Sequence, residues 1–184
     1  MINKVEMMGD IERVLFSQEQ LQERIREVGA QISQDYYGKA PVLVGVLKGV
    51  VPFYCSMASS ITIPLEEDFM CVSSYAGMES TGKIILRKDV DVDIRGRDVL
   101  ILEDILDSGR TLKAIMEMLR TRQPNSIKIC TLFDKPEGRK IPLEADYVCF
   151  NVPNEFVVGF GLDYNGYYRN LPFVGVLKPS VYQD

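Results

Sequence analysis

Apolar and polar positions fall into blocks along this chain, and the blocks switch between two patterns. Leu21, Ile25, Val28 and Ile32 recur at helical spacing, with Glu19, Glu23, Arg24, Arg26 and Glu27 on the other faces. That is the stripe of a helix lying on a core. Ser17-x-x-Gln20 ahead of it fits a capping box, and the pattern stops near Tyr37-Gly38. Pro41–Leu47 and Val99–Leu102 are continuous apolar runs instead, as expected of strands buried on both faces of a parallel sheet. Val50-Val-Pro52 opens a second helix with proline in its first turn, and Leu112, Ile115, Met116 and Leu119 mark a third beginning near Thr111. Asp68–Ser73, Ile84–Leu86, Ile127–Phe133, Ala145–Phe150 and Phe173–Leu177 read as further strands. Met1–Phe16 is a mixed lead-in, and the residues after Leu177 read as a tail. Strands alternating with helices predict an α/β fold with a mostly parallel central sheet flanked by helices. No linker, repeat or low-complexity stretch interrupts the pattern, so residues 1–184 are expected to form a single domain.

Composition narrows the function. The chain is 46% hydrophobic and 26% charged, the balance of a soluble globular protein with a real core. Its net charge of −5 (21 minus 26) disfavours nucleic acid as the main partner. No apolar run reaches the length of a membrane span, and the N-terminus lacks the apolar segment of a signal peptide, which predicts a cytoplasmic protein. Cys55, Cys71, Cys130 and Cys149 contain no C-x2-C pair and read as small core residues in a reducing compartment. The absence of histidine excludes Ser-His-Asp and Cys-His catalysis and His-ligated zinc. Acid–base chemistry falls to carboxylates, Lys, Tyr or Cys, and a metal would be a hard, oxygen-liganded ion such as magnesium.

The chemistry is expected at strand ends. After Val99–Leu102 come Glu103 and Asp104, then the turn Asp107-Ser-Gly-Arg-Thr111, then a helix. Free backbone N–H groups at such a turn bind anions, and neighbouring carboxylates accept from sugar hydroxyls, so a ligand carrying both phosphate and hydroxyls fits. An ordinary βα turn with a solvated acidic end fits too. Neither the Walker spacing nor a dinucleotide glycine fingerprint is present. Lys48-Gly49 makes a second strand–glycine turn–helix corner, readable as an anion site or as a plain connection. Ser74-Tyr75 through Gly82 is a small, polar, glycine-rich loop, either a connector or a lid that excludes water. Lys135 at a strand end and the aromatic–glycine segment Asn154–Arg169 each have a bland reading, as a solvated lysine and as core or turn packing.

Val99–Leu112 closely resembles the phosphoribosyl-pyrophosphate motif of type I phosphoribosyltransferases, and more particularly of the hypoxanthine-guanine branch. The resemblance runs in order from about residue 10 to residue 180. It implies purine salvage: magnesium-dependent transfer of 5-phosphoribosyl from phosphoribosyl pyrophosphate to hypoxanthine or guanine, giving IMP or GMP and pyrophosphate. By the same resemblance Glu103 and Asp104 bind the ribose hydroxyls, directly or through magnesium, and Ser108, Gly109, Arg110 and Thr111 hold the 5′-phosphate. Leu47, Lys48 and Gly49 match the pyrophosphate loop, where the family's Leu–Lys peptide can be cis. Ser74 and Tyr75 match the lid. Lys135 matches the lysine that meets the exocyclic oxygen of a 6-oxopurine; an ammonium can only donate, so it rejects the amino group of adenine. Phe156 would stack on the base, Val157 would offer its backbone, Asp163 would join Glu103 and Asp104 as a magnesium ligand beside the purine segment, and Arg169 would contact the leaving pyrophosphate. Asp107 is the candidate general base, with a structural role as turn acceptor as the alternative. The resemblance further implies a small hood from both termini and a homodimer or homotetramer. A rival reading, a nucleic-acid-binding regulator on the same fold, fits the negative charge poorly.

Overall fold

The structure is a computed structural model that describes residues 4–74 and 84–183. In chain order its elements are α1 (Lys4–Gly9), β1 (Ile11–Phe16), α2 (Gln18–Asp35), β2 (Val42–Leu47), α3 (Val51–Ser60), β3 (Glu66–Ser74), β4 (Ile84–Lys88) and β5 (Asp98–Leu106). They continue with α4 (Arg110–Arg120), β6 (Ser126–Asp134), a 3₁₀ turn at Pro136–Gly138, β7 (Tyr147–Asn151), β8 (Val157–Val158), β9 (Val174–Leu177) and α5 (Pro179–Tyr182).

The central sheet has the order β4-β3-β2-β5-β6-β7, with every pairing parallel except β3–β4. Because side chains alternate along a strand, the apolar runs feed two cores. Leu43, Leu100, Leu102, Cys130 and Leu132 face α2 and α3, whereas Val42, Val44, Val99, Ile101 and Ile129 face α4. The capping box at Ser17 and Gln20 is formed in both directions. It contributes about 1 kcal/mol. Burial of Leu21, Ile25, Val28 and Ile32, at about 1.5–3 kcal/mol each, is what holds α2 in place. Arg24 reaches from α2 to the carbonyls of Cys149 (3.0 Å) and Val148 (3.2 Å) on the terminal strand β7.

Both ends of the chain make a second sheet of order β1-β9-β8, antiparallel throughout. The lead-in therefore holds a helix and a strand, and the tail holds α5, none of which the pattern of residues predicted. Met7, Val158, Tyr168, Leu171 and Leu177 form its own small core, and the Tyr168 hydroxyl donates to Asp10 at 2.7 Å. The cysteine expectation needs one correction. Cys130 and Cys149 are buried, but Cys55 is exposed on α3 and Cys71 is only half-buried, since helix periodicity turns position 55 to solvent. Among the described residues no helix is long and apolar enough to cross a membrane.

Candidate active site

Strand order decides where a site can form. The chain leaves β2 toward β3 on one side and returns to β5 on the other. The crevice at the carboxyl ends of β2 and β5 is therefore the switch point where open α/β sheets bind ligands. Lys48-Gly49 follows β2 there, and the Leu47–Lys48 peptide is cis. β5 continues past the expected end at Glu103 and Asp104 to Leu106, held there by pairing with β6, and the turn from Asp107 then enters α4. Gly49 lies so close to Asp104 that a Cβ would fall 1.7 Å from Asp104 Oδ2 and 3.0 Å from Arg169 Nη1. Three distant parts of the chain thus meet at one corner.

Of the acid pair, Glu103 is held from water and Asp104 is half-buried. Glu103 is buried, and burial pushes its carboxyl well above the usual range, with the adjacent Asp104 adding to the shift. Burial also raises Asp104, against a hydrogen bond with Glu103, the Ile105 N–H at 2.7 Å and the Arg169 guanidinium. Among the described residues no group of three or more carboxylates or thiols converges on one point. Asp163 instead ion-pairs with Arg169 at 2.6 Å and accepts the Gly166 N–H at 2.8 Å. The donor set is oxygen only, and two adjacent carboxylates suit magnesium, which is held by one or two carboxylates plus substrate phosphates and water.

The turn after β5 leads directly into the N-terminus of α4. Gly109 caps α4 at φ +81°, a left-handed conformation that favours glycine, and no side chain caps the helix. Ser108 Oγ accepts weakly from the Arg110 N–H at 3.5 Å. With Thr111 this turn lines a cavity of about 90 Å³. An anion at this place meets the helix N-terminus and its dipole.

A second cavity of about 230 Å³ opens beside it, lined by Asp104, Asp107, Lys135, Phe156, Val157 and Asp163, with Ile105, Glu155 and Leu162 completing the wall. Its size lies just under the range of about 300–1,000 Å³ typical of drug-sized ligands, which suits a single ring system. Lys135 Nζ donates to the Glu155 carbonyl at 3.2 Å. Phe156 is stacked on Tyr182 of α5, with centroids 4.9 Å apart, and meets Tyr164 edge-on at 5.5 Å. Glu155 is ion-paired to Arg13 of β1, so the terminal sheet supports this wall from outside.

The structure brings Leu47, Lys48, Gly49, Glu103, Asp104, Asp107, Ser108, Gly109, Arg110, Thr111, Lys135, Phe156, Val157, Asp163 and Arg169 to one edge of the sheet. Of the expected lid, Ser74 ends β3, where its backbone pairs with Ile84, and Tyr75 lies outside the described residues. Residue patterns did not single out Glu155, Tyr182 or Arg139. Arg139 donates to the carbonyls of Leu106 and Asp107 and pairs with Asp134, contacts that no local spacing announces.

A mostly parallel sheet with its acids and glycine turn at the β2–β5 crevice, under a hood from both termini, is the type I phosphoribosyltransferase architecture. Comparison with known proteins bears this out. A phosphoribosyl transferase domain model matches residues 16–165. The hypoxanthine-guanine phosphoribosyltransferase of Streptococcus agalactiae is 55% identical over 175 residues, covering 95% of this chain and 97% of that protein. That of Streptococcus mutans is 56% identical over 174 residues. A hypoxanthine phosphoribosyltransferase structure from Staphylococcus aureus superposes with a TM-score of 0.95 at 49% identity, covering 100% of both chains. A Bacillus anthracis hypoxanthine-guanine phosphoribosyltransferase, solved with a HEPES molecule in its active site, superposes with a TM-score of 0.88 at 44% identity, covering 91% of this chain and 99% of that one. This chain belongs to the hypoxanthine-guanine phosphoribosyltransferase family.

Proposed function

We propose that the protein, one domain acting as a cytoplasmic homodimer or homotetramer, transfers the 5-phosphoribosyl group from phosphoribosyl pyrophosphate to hypoxanthine or guanine. The observation that carries this reading is the cavity in which Lys135, Phe156 and Val157 face Asp104 and Asp107, directly beside the glycine turn. Ser108, Gly109, Arg110 and Thr111 hold the 5′-phosphate by backbone and hydroxyl donors. Glu103 and Asp104 accept from the ribose hydroxyls. As pyrophosphate leaves, C1 of the ribose becomes cationic, and the nearby carboxylates stabilise that charge. Lys48, the Gly49 backbone and Arg169 stabilise the negative leaving group. When bound, magnesium would neutralise the pyrophosphate; the adjacent Glu103 and Asp104 would hold it on one side, and Asp163 would serve only at a separate place, from its ion pair with Arg169.

On the base side, Phe156 stacks on the purine and the Val157 backbone meets its Watson–Crick edge. Lys135 exchanges its contact with the Glu155 carbonyl for the purine O6. Asp107 accepts the proton as the purine nitrogen becomes nucleophilic, the task that falls to a carboxylate in a chain without histidine. The test is a spectrophotometric assay with magnesium and phosphoribosyl pyrophosphate, offering hypoxanthine, guanine, xanthine and adenine separately. Turnover of oxopurines without adenine is expected. Turnover of adenine at a comparable rate would refute the role of Lys135, and no turnover with any base would refute the function.

A further inference from the structure

The segment that follows Lys135 is the outer wall of the glycine turn, and each residue of the turn from Leu106 to Gly109 is held by it. The Lys135 N–H donates to the Leu106 carbonyl at 3.0 Å, and the Lys140 N–H donates to the Ser108 carbonyl at 3.1 Å. Arg139 donates from Nη1 to the Leu106 carbonyl at 2.8 Å and to the Asp107 carbonyl. Its Nη2 pairs with Asp134, the residue before Lys135, in an ion pair whose side chains are only 15% and 18% exposed. The Arg139 stem covers Gly109, where a Cβ would sit 3.4 Å from Arg139 Cδ. The Asp107 carboxylate lies directly against Gly138, with no room for a Cβ between them.

We propose that Arg139 is a positioning residue: it locks the Asp107 peptide and the phosphate turn to the strand end that carries Lys135, so that the base pocket and the phosphate site are set in one rigid unit. The guanidinium fork is suited to this because it donates in several directions at once, to two successive carbonyls and a carboxylate. Without it the Asp107 carbonyl loses its donor, Asp134 is left as a poorly solvated charge, and the peptide that aims Asp107 can rotate. A small misplacement of catalytic groups costs far more in rate than in stability. The inference rests on the proposed function, because it assigns Arg139 a part in that reaction.

The experiment compares wild type with Arg139→Ala and Arg139→Lys by steady-state kinetics, by binding of IMP and by thermal unfolding. For Arg139→Ala, loss of charge-assisted hydrogen bonds to the turn predicts a fall in kcat of about 10–30-fold and weaker binding of both phosphoribosyl pyrophosphate and IMP, with the KM for hypoxanthine changed by less than about 3-fold. Arg139→Lys keeps the charge but not the fork, and is expected to lose kcat while unfolding at nearly the wild-type temperature. Millimolar guanidinium is expected to restore part of the Arg139→Ala rate and none in Asp107→Asn. Wild-type kinetics and IMP affinity in Arg139→Lys overturn the inference, even where Arg139→Ala fails to fold. An inactive wild type counts against the proposed function instead, and the IMP measurement still reads Arg139 because it needs no turnover.

Discussion

Replacing Gly159 by alanine separates a turn that is required from one that is merely present. Gly159 follows the two-residue strand β8 at φ +102°, and its N–H and carbonyl are both exchanged with Leu162 at 3.0 Å. A Cβ there would lie 2.1 Å from the Phe173 carbonyl oxygen, against an ordinary contact of at least 3.4 Å. The obstacle is backbone rather than a side chain that can turn away, so the turn or the approach to β9 must move by about 1.3 Å (3.4 minus 2.1). Alanine at this φ costs about 1–3 kcal/mol. Loosening the two bonds to Leu162 adds about 1 kcal/mol each. The sum, about 3–5 kcal/mol, corresponds to a fall in Tm of roughly 6–20 °C for a domain of this size. The same movement drags Val157 and Phe156, because among the described strands β8 pairs with β9 alone. Calorimetry should therefore show the lower Tm, and kinetics at permissive temperature should show a raised KM for hypoxanthine with the KM for phosphoribosyl pyrophosphate less affected. A Tm within about 2 °C of wild type would mean less than roughly 1 kcal/mol of strain, and would refute the argument from close approach.

Three further outcomes follow from named contacts. Asp107→Asn should lower kcat by about 10²–10⁴-fold, the range for general acid–base catalysis, and raise the KM for phosphoribosyl pyrophosphate far less; an unchanged kcat removes Asp107 from the proton transfer. Asp68 is almost fully buried, and although burial pushes its carboxyl up, the N–H groups of Val92, Phe69 and Asp91 and the Lys88 ammonium bring it below the usual range. A depressed folded pKa gives stability that is present above the unfolded value of about 3.9 and is lost as pH falls through the folded one. Asp68→Asn should cost about 2–4 kcal/mol at neutral pH and flatten the loss of stability on acidification, read by denaturant titration at several pH values. Ser17→Ala removes the side-chain half of the α2 capping box, and should lower Tm by about 2–4 °C with unchanged kinetics.

What could be read along the chain was what a short window contains. The apolar runs became β2 and β5, the stripe from Leu21 to Ile32 became α2 with its cap, and the turn Asp107–Thr111 joined a strand to a helix as its composition requires. The acids and glycines of the candidate site were equally visible, because each motif is contiguous. The lead-in was opaque for a physical reason. β1 shows no alternation of buried and exposed positions, and it is a strand because β9, near the other end of the chain, supplies its hydrogen bonds. Likewise α5 has too few residues to be stable alone, and what Tyr182 contributes is its stack on Phe156.

Residue chemistry and local period determined the strands and helices of the central sheet layer, the candidate groups and, through the long match at Val99–Leu112, the family of this protein. Only the tertiary structure decided that Gly49, Asp104 and Arg169 share a corner, and that Arg139 grips the peptide of Asp107. Those meetings depend on strand order and on the crossing of loops above the sheet. Both are set by long-range hydrogen bonding and packing, which no stretch of residues carries by itself.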